Sequence, residues 1–171
     1  MTICAVCQKD FTPARMGQKV CGYRCSAKIG PLARKVERAA TRVAWDRLKT
    51  RSAWAKEAQT AFNAYIRGRD SALPCISCGR HHTGQIHAGH YLSTGARPEL
   101  RFNEDNCHAQ CQPCNTHLHG NLVLYRVELI RRIGLEAVER LEGPHPAAKL
   151  TTADLRAIRD KYRSKLKEDQ A

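Results

Sequence analysis

Eight of the nine cysteines fall at the spacings of metal-ligand sets, and this feature most constrains how the chain can fold. One set consists of Cys75-x2-Cys78 and Cys111-x2-Cys114. Each pair supplies two thiolates from one tight turn, and two such pairs complete a tetrahedral zinc site. Four thiolates leave no open coordination position, so the sequence predicts a structural zinc ion here. The chemistry is then expected in the His- and Asn-rich segment between the pairs.

A second set lies near the N-terminus, where Cys4-x2-Cys7 is followed by Cys21-x3-Cys25. Disulfide pairing is the alternative for both sets. It is disfavoured because no apolar signal segment precedes Cys4, and paired Cys-x-x-Cys motifs in a reducing compartment bind metal far more often. We therefore expect two structural Zn²⁺ ions and a cytoplasmic protein.

The order of cysteine sets and helical periodicities predicts an α+β fold that is mostly helical. Gly30-Pro31 and Leu73-Pro74 are expected to interrupt the chain. These breaks and the cysteines suggest four parts: a Cys4 zinc finger over 1–30, a basic helical segment over 31–73, a zinc-stapled unit over 74–122 and a C-terminal helical region over 123–171.

Local signals add detail to these parts. Ser52 is predicted to cap a second helix within the basic segment, and Thr151 to Asp154 form a capping box before the last helix. Residues 85–91 are predicted to be a strand and 121–133 a helix. No run of about 18 apolar residues occurs, so no membrane span is expected.

Positive charge is concentrated in the first half of the chain. The formal net charge is +13, and residues 1–74 hold fifteen Lys and Arg against five Asp and Glu. The first predicted helix carries a basic ridge, formed by Arg34, Lys35, Arg38 and Arg42. Neighbouring like charges cost helix stability unless a polyanion neutralises them, so DNA is the expected partner. A merely solvated face is the alternative. The apolar stripe of the same helix could pack on the zinc units or pair two protomers as a homodimer.

The segment between the central cysteine pairs carries groups suited to phosphodiester hydrolysis. That reaction needs an activated water, neutralisation of the phosphate and help for the leaving oxygen. His90 is the candidate general base, and Asn106 is placed to tie down the loop and orient it. His87 and Asn115 are candidate ligands for a catalytic Mg²⁺ or Mn²⁺, with His119 as a second choice.

The remaining histidines and the ninth cysteine are given plainer interpretations. His81, His82 and His117 are expected to be surface residues or neighbours of a metal ligand. Cys107 is expected to be buried and inert, with a substitute sulfur ligand as the alternative. A further alternative makes His87 or His90 a zinc ligand, but the complete Cys4 set makes that unnecessary.

The order Cys-x2-Cys, Gly-His strand, Asn, Cys-x2-Cys-Asn resembles the HNH, or ββα-metal, endonucleases. More narrowly, the runs 88–93, 99–103, 108–111 and 120–122 resemble the NinG (Rap) family of lambdoid phages, and the resemblance covers most of the chain. It implies an endonuclease that cleaves branched DNA, such as Holliday junctions and D-loops, during phage recombination in the bacterial host cell.

By this resemblance His90 matches the HNH base, Asn106 the middle Asn and Asn115 the last metal-binding position. Gly89 departs from the pattern, because many HNH sites carry an Asp or His ligand there, and His87 is the candidate replacement. The competing hypothesis is a zinc-finger DNA-binding or architectural protein whose HNH-like unit is not catalytic.

Overall fold

The computed structural model describes residues 1–168 and divides into two compact units, Met1–Lys49 and a second that begins at Thr50. Residues 169–171, the end of the predicted C-terminal region, lie outside the described residues. Helices contain most of the described residues, and the strands form two small antiparallel sheets. This confirms an α+β, mostly helical fold. Over the described residues, no helix is long and apolar enough to cross a membrane.

The first unit combines a small hairpin with one long helix. Strand β1 (Thr2–Ile3) pairs with β2 (Asp10–Phe11), and helix α1 follows over Tyr23–Leu48. The expected break at Gly30-Pro31 is wrong, because α1 continues through Pro31. Proline removes one backbone donor at a cost of about 3 kcal/mol, but it does not end a helix whose flanking Ala, Arg and Lys residues are strong helix formers.

Helix α2 (Arg51–Arg69) opens the second unit. Thr50 caps its N-terminus, because the Thr50 hydroxyl accepts a hydrogen bond from the Ala53 N–H at 3.2 Å. The predicted cap, Ser52, is therefore wrong, because the backbone is already extended at Lys49 and the helix starts two residues earlier. The apolar residues of α2 are buried as their spacing predicts: Trp54, Ala58, Ala61, Phe62, Tyr65 and Ile66.

Helix α5 (Thr152–Glu168) packs against α2. Its predicted capping box is confirmed: the Asp154 N–H donates to the Thr151 hydroxyl at 3.2 Å, and the Thr151 N–H donates to the Asp154 carboxylate at 2.8 Å. Tyr162 is buried and meets Phe62 edge-on, with ring centroids 4.9 Å apart. The two helices thereby form one wall of the second unit.

A β-hairpin lies against this wall. Strand β3 (Ile86–His90) pairs with β4 (Cys107–Cys111), so that His90 is opposite Cys107 and His87 is opposite Gln110. Side chains alternate between the two faces of a strand. We call the face that carries His90 and Cys107 the inner face, because it packs on Phe62 of α2. The other face, with His87 and Gln110, is the outer face.

Helices α3 (Leu122–Ile133) and α4 (Leu135–Glu142) complete the second unit. Tyr125 of α3 is fully buried, and its hydroxyl donates to the Gly89 carbonyl at 2.9 Å on the outer face. A separate core joins these helices to the loop after β3, through Ile76, Tyr91, Leu100, Tyr125, Leu129, Val138 and Leu141. The hairpin is thus enclosed by α2 on one side and contacted by α3 on the other.

Candidate metal centres and active site

The N-terminal cysteines converge on one point. The sulfurs of Cys4, Cys7, Cys21 and Cys25 all lie within 4.8 Å of one another. Cys7 and Cys21 are 3.7 Å apart and Cys21 and Cys25 are 3.6 Å apart. A tetrahedron of thiolates about 2.3 Å from zinc has sulfurs about 3.8 Å apart, so the cluster fits Zn²⁺. The backbone N–H of Cys7, aided by those of Val6 and Cys21, lowers the pKa of Cys4 to about 6, which favours its thiolate. The hydrogen bond between Cys21 and Cys25 raises the pKa of Cys25 to about 12.

The central cysteines form the second cluster. The sulfurs of Cys75, Cys78, Cys111 and Cys114 also lie within 4.8 Å of one another, with Cys78 and Cys111 3.9 Å apart. Burial raises the pKa of Cys75, but the N–H groups of Cys78 and Cys111 outweigh it and bring the pKa to about 7. This cluster can also hold zinc. Within residues 1–168 these are the two groups of three or more His, Cys, Asp or Glu whose ligand atoms converge in this way.

Groups around the central cluster support its thiolates. The Cys111 N–H donates to the Cys75 sulfur at 3.4 Å, and the Asn121 amide donates to the Cys114 sulfur at 3.5 Å. The Nε2 of His82 lies 3.2 Å from the Cys78 sulfur. His82 is exposed and contacts a cysteine of the cluster, in keeping with the expectation of a surface residue or a neighbour of a metal ligand.

His90 is held in a defined tautomer. Its Nε2 lies 2.9 Å from the Arg101 carbonyl, which can only accept a hydrogen bond, so Nε2 carries the proton and Nδ1 carries the lone pair. Burial lowers the pKa of His90 below its ordinary value, and the hydrogen bond to Arg101 offsets only part of this effect. His90 is therefore neutral at pH 7, which is the state that a general base needs.

Cys107 is the neighbour of that lone pair. Its sulfur lies 3.7 Å from Nδ1 of His90, and its side chain is fully buried. Burial raises the pKa of Cys107 well above that of a free thiol, so the S–H is retained and faces the imidazole. Cys107 is buried as expected, but it also contacts the candidate base, which only the strand register reveals.

Asn106 ties the loop after β3 to the start of β4. Its side-chain oxygen accepts from the Leu92 N–H at 2.9 Å, and its amide donates to the carbonyls of Leu92 at 3.0 Å and Leu100 at 3.3 Å. Asn106 is fully buried. All its bonds are internal, so its part is to fix the loop that follows His90.

The candidate metal ligands are more dispersed. His87 and His90 are three residues apart in β3 and therefore lie on opposite faces of the hairpin. Asn115 is half-buried in a short helical turn over Pro113–His117, directly after Cys114 of the central cysteine cluster. His119 is exposed, has a positive φ of 48° and lies beyond that turn, so it does not share a helical face with Asn115.

The basic ridge is confined to the first unit. Arg34, Lys35, Arg38 and Arg42 are all exposed on α1, and within the described part of the chain no α1 side chain is buried. The ridge is free to meet a polyanion, and it is separate in sequence from the residues around His90.

The chain is similar to known proteins over its whole length. The family described as Bacteriophage Lambda NinG protein matches residues 1–171. Protein ninG of Escherichia phage lambda is 44% identical over 181 residues, covering 95% of this chain and 89% of that protein. Protein ninG of Salmonella phage P22 is 43% identical over 181 residues, with the same two shares.

A third relative matches more strongly over a shorter region. Protein ninG of Escherichia phage 933W is 56% identical over 121 residues, which are 71% of this chain and 60% of that protein. No solved structure matches the chain significantly. Because the family match spans every residue and the lambda and P22 relatives align over nearly their full lengths, this chain belongs to the NinG family of lambdoid phage proteins.

Proposed function

We propose that this NinG-family protein is a metal-dependent DNA endonuclease of the HNH type, acting on branched recombination intermediates such as Holliday junctions and D-loops in the cytoplasm of the bacterial host. The observation that carries the proposal is His90: a neutral imidazole of fixed tautomer, in a hairpin whose strand end supplies a ligand to the central cysteine cluster. The order β3, β4, α3, with Tyr125 of α3 contacting Gly89 of β3, is in keeping with a ββα unit.

The protein's own groups have distinct parts in this proposal. His90 accepts the proton of the attacking water at Nδ1, the nitrogen that carries the lone pair. Asn106 holds the loop that carries the Arg101 carbonyl. A bound Mg²⁺ or Mn²⁺ supplies charge neutralisation on the phosphate, and His87, Asn115 and the more distant His119 are its candidate ligands. The imidazole nitrogen of His87 is buried without a partner, which suits a ligand role.

The direct test is a nicking assay with zinc-loaded protein. Radiolabelled four-way junction and linear duplex of the same sequence are incubated with Mg²⁺, with Mn²⁺ or with neither ion. Cleavage of the junction that depends on the ion, and little cleavage of the duplex, is the expected result. Equal cleavage of both substrates would contradict the proposed preference for branched DNA. No cleavage of either substrate would contradict the proposed nuclease activity.

A second function is favoured by one specific observation. His87 and His90 lie on opposite faces of β3, so the candidate ligand and the candidate base do not converge. A zinc-finger DNA-binding or architectural protein requires no such convergence. Tight junction binding without cleavage under any divalent ion would establish this alternative.

The basic ridge is proposed to provide DNA affinity rather than catalysis. We expect Arg38→Ala combined with Arg42→Ala to weaken binding to junctions and duplexes alike, by about tenfold, and to reduce the slope of log affinity against log salt by about 2, because two phosphate contacts are lost. Fluorescence anisotropy over a salt series measures both quantities. Arg140→Ala combined with Arg163→Ala removes the same charge from exposed positions outside α1 and is the control. Wild-type affinity and slope in the ridge variant would show that this face is only solvated.

The apolar stripe of α1 supports the proposal of a homodimer. Ile29, Val36 and Val43 recur every seven residues with Leu32 and Ala39 between them, and Val36 is 64% exposed. β-Branched residues at the first heptad position favour two-stranded coiled coils. Light scattering of the full chain would show twice the monomer mass if the helices pair.

A further inference from the structure

Two buried polar atoms on the outer face of the hairpin lack partners. Among the described residues, three buried side-chain nitrogen or oxygen atoms have no hydrogen bond, and two of them are His87 Nε2 and Gln110 Oε1. These two residues are directly opposite each other in the register of β3 and β4. Buried polar atoms are nearly always bonded to protein, water or an ion. Two neighbouring side chains with unpartnered atoms on the same face therefore point to a bound species, an ordered water or an ion, on the outer face of the hairpin.

The orientation of the Gln110 amide is fixed by its neighbours. Its nitrogen donates to the Ser77 hydroxyl at 2.6 Å and to the Gly120 carbonyl at 2.6 Å. The carbonyl of Gly120 can only accept, so the nitrogen must face it and the oxygen must face the other way. Gln110 is fully buried. Its oxygen is consequently presented toward β3 with no donor to satisfy it.

The oxygen faces Gly89, and this contact explains why position 89 is glycine. A Cβ atom placed on Gly89 would collide with Oε1 of Gln110 and approach its Cβ and Cδ to 3.0 Å. Gln110 thus occupies the space in which a ligand side chain at position 89 would begin.

We propose that His87 Nε2 and Gln110 Oε1 are a ligand pair for the divalent cation of the proposed nuclease, with Gln110 supplying the oxygen ligand that Gly89 cannot. This inference rests on the proposed function for the identity of the ion. Amide oxygens suit Mg²⁺ and Mn²⁺, and imidazole suits transition metals, so Mn²⁺ is the appropriate probe. Both donors are neutral. Binding of the ion to the free protein is therefore expected to be weak.

The test uses zinc-loaded full-length protein and Mn²⁺ titrations followed by electron paramagnetic resonance, which reports free Mn²⁺. Gln110→Glu preserves the size of the side chain and adds a charge to the ligand oxygen. Because ligand charge tunes affinity for hard cations, we expect Mn²⁺ to bind at least about tenfold more tightly than to wild type. A side chain with only a structural role would lose its two donated hydrogen bonds and gain no affinity.

Two further variants make the assignment specific. Gln59→Glu makes the same chemical change on α2 and should leave the Mn²⁺ affinity at the wild-type value. In the double variant His87→Ala with Gln110→Glu, most of the gain should disappear, because the second ligand is missing. Zinc content and circular dichroism are measured for each variant, so that a change in Mn²⁺ binding is compared among folded proteins only.

Three results would contradict the assignment of His87 and Gln110 as a ligand pair. Unchanged affinity in folded Gln110→Glu would mean that the two atoms share an ordered water only. A gain that survives His87→Ala would mean that the new carboxylate binds alone, and a gain in Gln59→Glu would mean that any added carboxylate suffices. These outcomes are separate from the nuclease itself, because the readout is ion binding: a protein that cuts junctions while Gln110→Glu gains nothing keeps the function and loses this assignment.

Discussion

Replacement of Cys111 by alanine should remove one of two zinc ions and unfold the second unit around the hairpin. Cys111 ends β4, is 1% exposed and shares its cluster with Cys75, Cys78 and Cys114. Structural zinc contributes an apparent binding free energy of about 10–16 kcal/mol, whereas a whole domain is stable by about 5–15 kcal/mol. Loss of the ion is therefore expected to exceed what the remaining core can offset. Metal analysis and thermal unfolding measure the two effects.

The same strand provides the control. Cys107 begins β4, is equally buried and lies outside both zinc clusters. Cys107→Ala should retain two zinc ions per chain and lower the unfolding free energy only by about 1–2 kcal/mol, the effect of a small cavity. Two zinc ions in Cys111→Ala, or fewer than two in wild-type protein never exposed to chelator, would contradict the assignment of one zinc ion to each four-cysteine cluster.

Substitution of His90 should abolish cleavage while DNA binding remains. A positioned general base contributes about 10²- to 10⁴-fold to the rate, whereas affinity for DNA comes mainly from Lys and Arg contacts with phosphates. His90→Ala also removes the bond to the Arg101 carbonyl and the packing on Phe62. His90→Gln is therefore the sharper variant, because its amide can still donate to Arg101 but offers no basic lone pair. Single-turnover cleavage of a junction is the measurement.

The pH dependence gives an independent readout for His90. The neutral imidazole is the active form, and burial lowers its pKa from the ordinary value of 6.5. The acid-side decline of wild-type activity should therefore have its midpoint below pH 6.5, the value expected of an unperturbed imidazole. His117→Ala, at an exposed position with no assigned role, should match wild type. Full activity in a folded His90→Gln variant would transfer the search for a base to His87 or favour the non-catalytic hypothesis.

Rescue of cleavage by added metal ion should distinguish the proposed ligands Asn115 and His87 from the proposed base His90. A missing metal ligand weakens ion binding, so higher Mn²⁺ should partly restore cleavage in Asn115→Ala, whereas no concentration of ion replaces a base. The two histidines also lie apart, with His90 on the inner face of the hairpin and His87 on the outer face.

Local sequence patterns determined much of the architecture. Cysteine spacing is a short-range property of tight turns, and it identified both four-cysteine clusters. Helical periodicity identified the buried face of α2, because residues three and four apart share one side of a helix. The capping box at Thr151 was visible for the same reason, since both of its hydrogen bonds join residues three apart. The signal at Pro31 was outweighed by the helix on either side, and the signal at Ser52 by the extended backbone at Lys49, which starts the helix at Thr50.

The contacts across the paired strands β3 and β4 were decided by the tertiary structure alone. The register of β3 and β4 places Cys107 beside His90 and Gln110 beside Gly89, contacts between residues 17 and 21 positions apart that no local pattern encodes. Strand alternation, once the hairpin is in place, separates His87 from His90. The sequence by itself therefore determined which groups are available for chemistry, while the pairing of two five-residue strands decided which of them face one another.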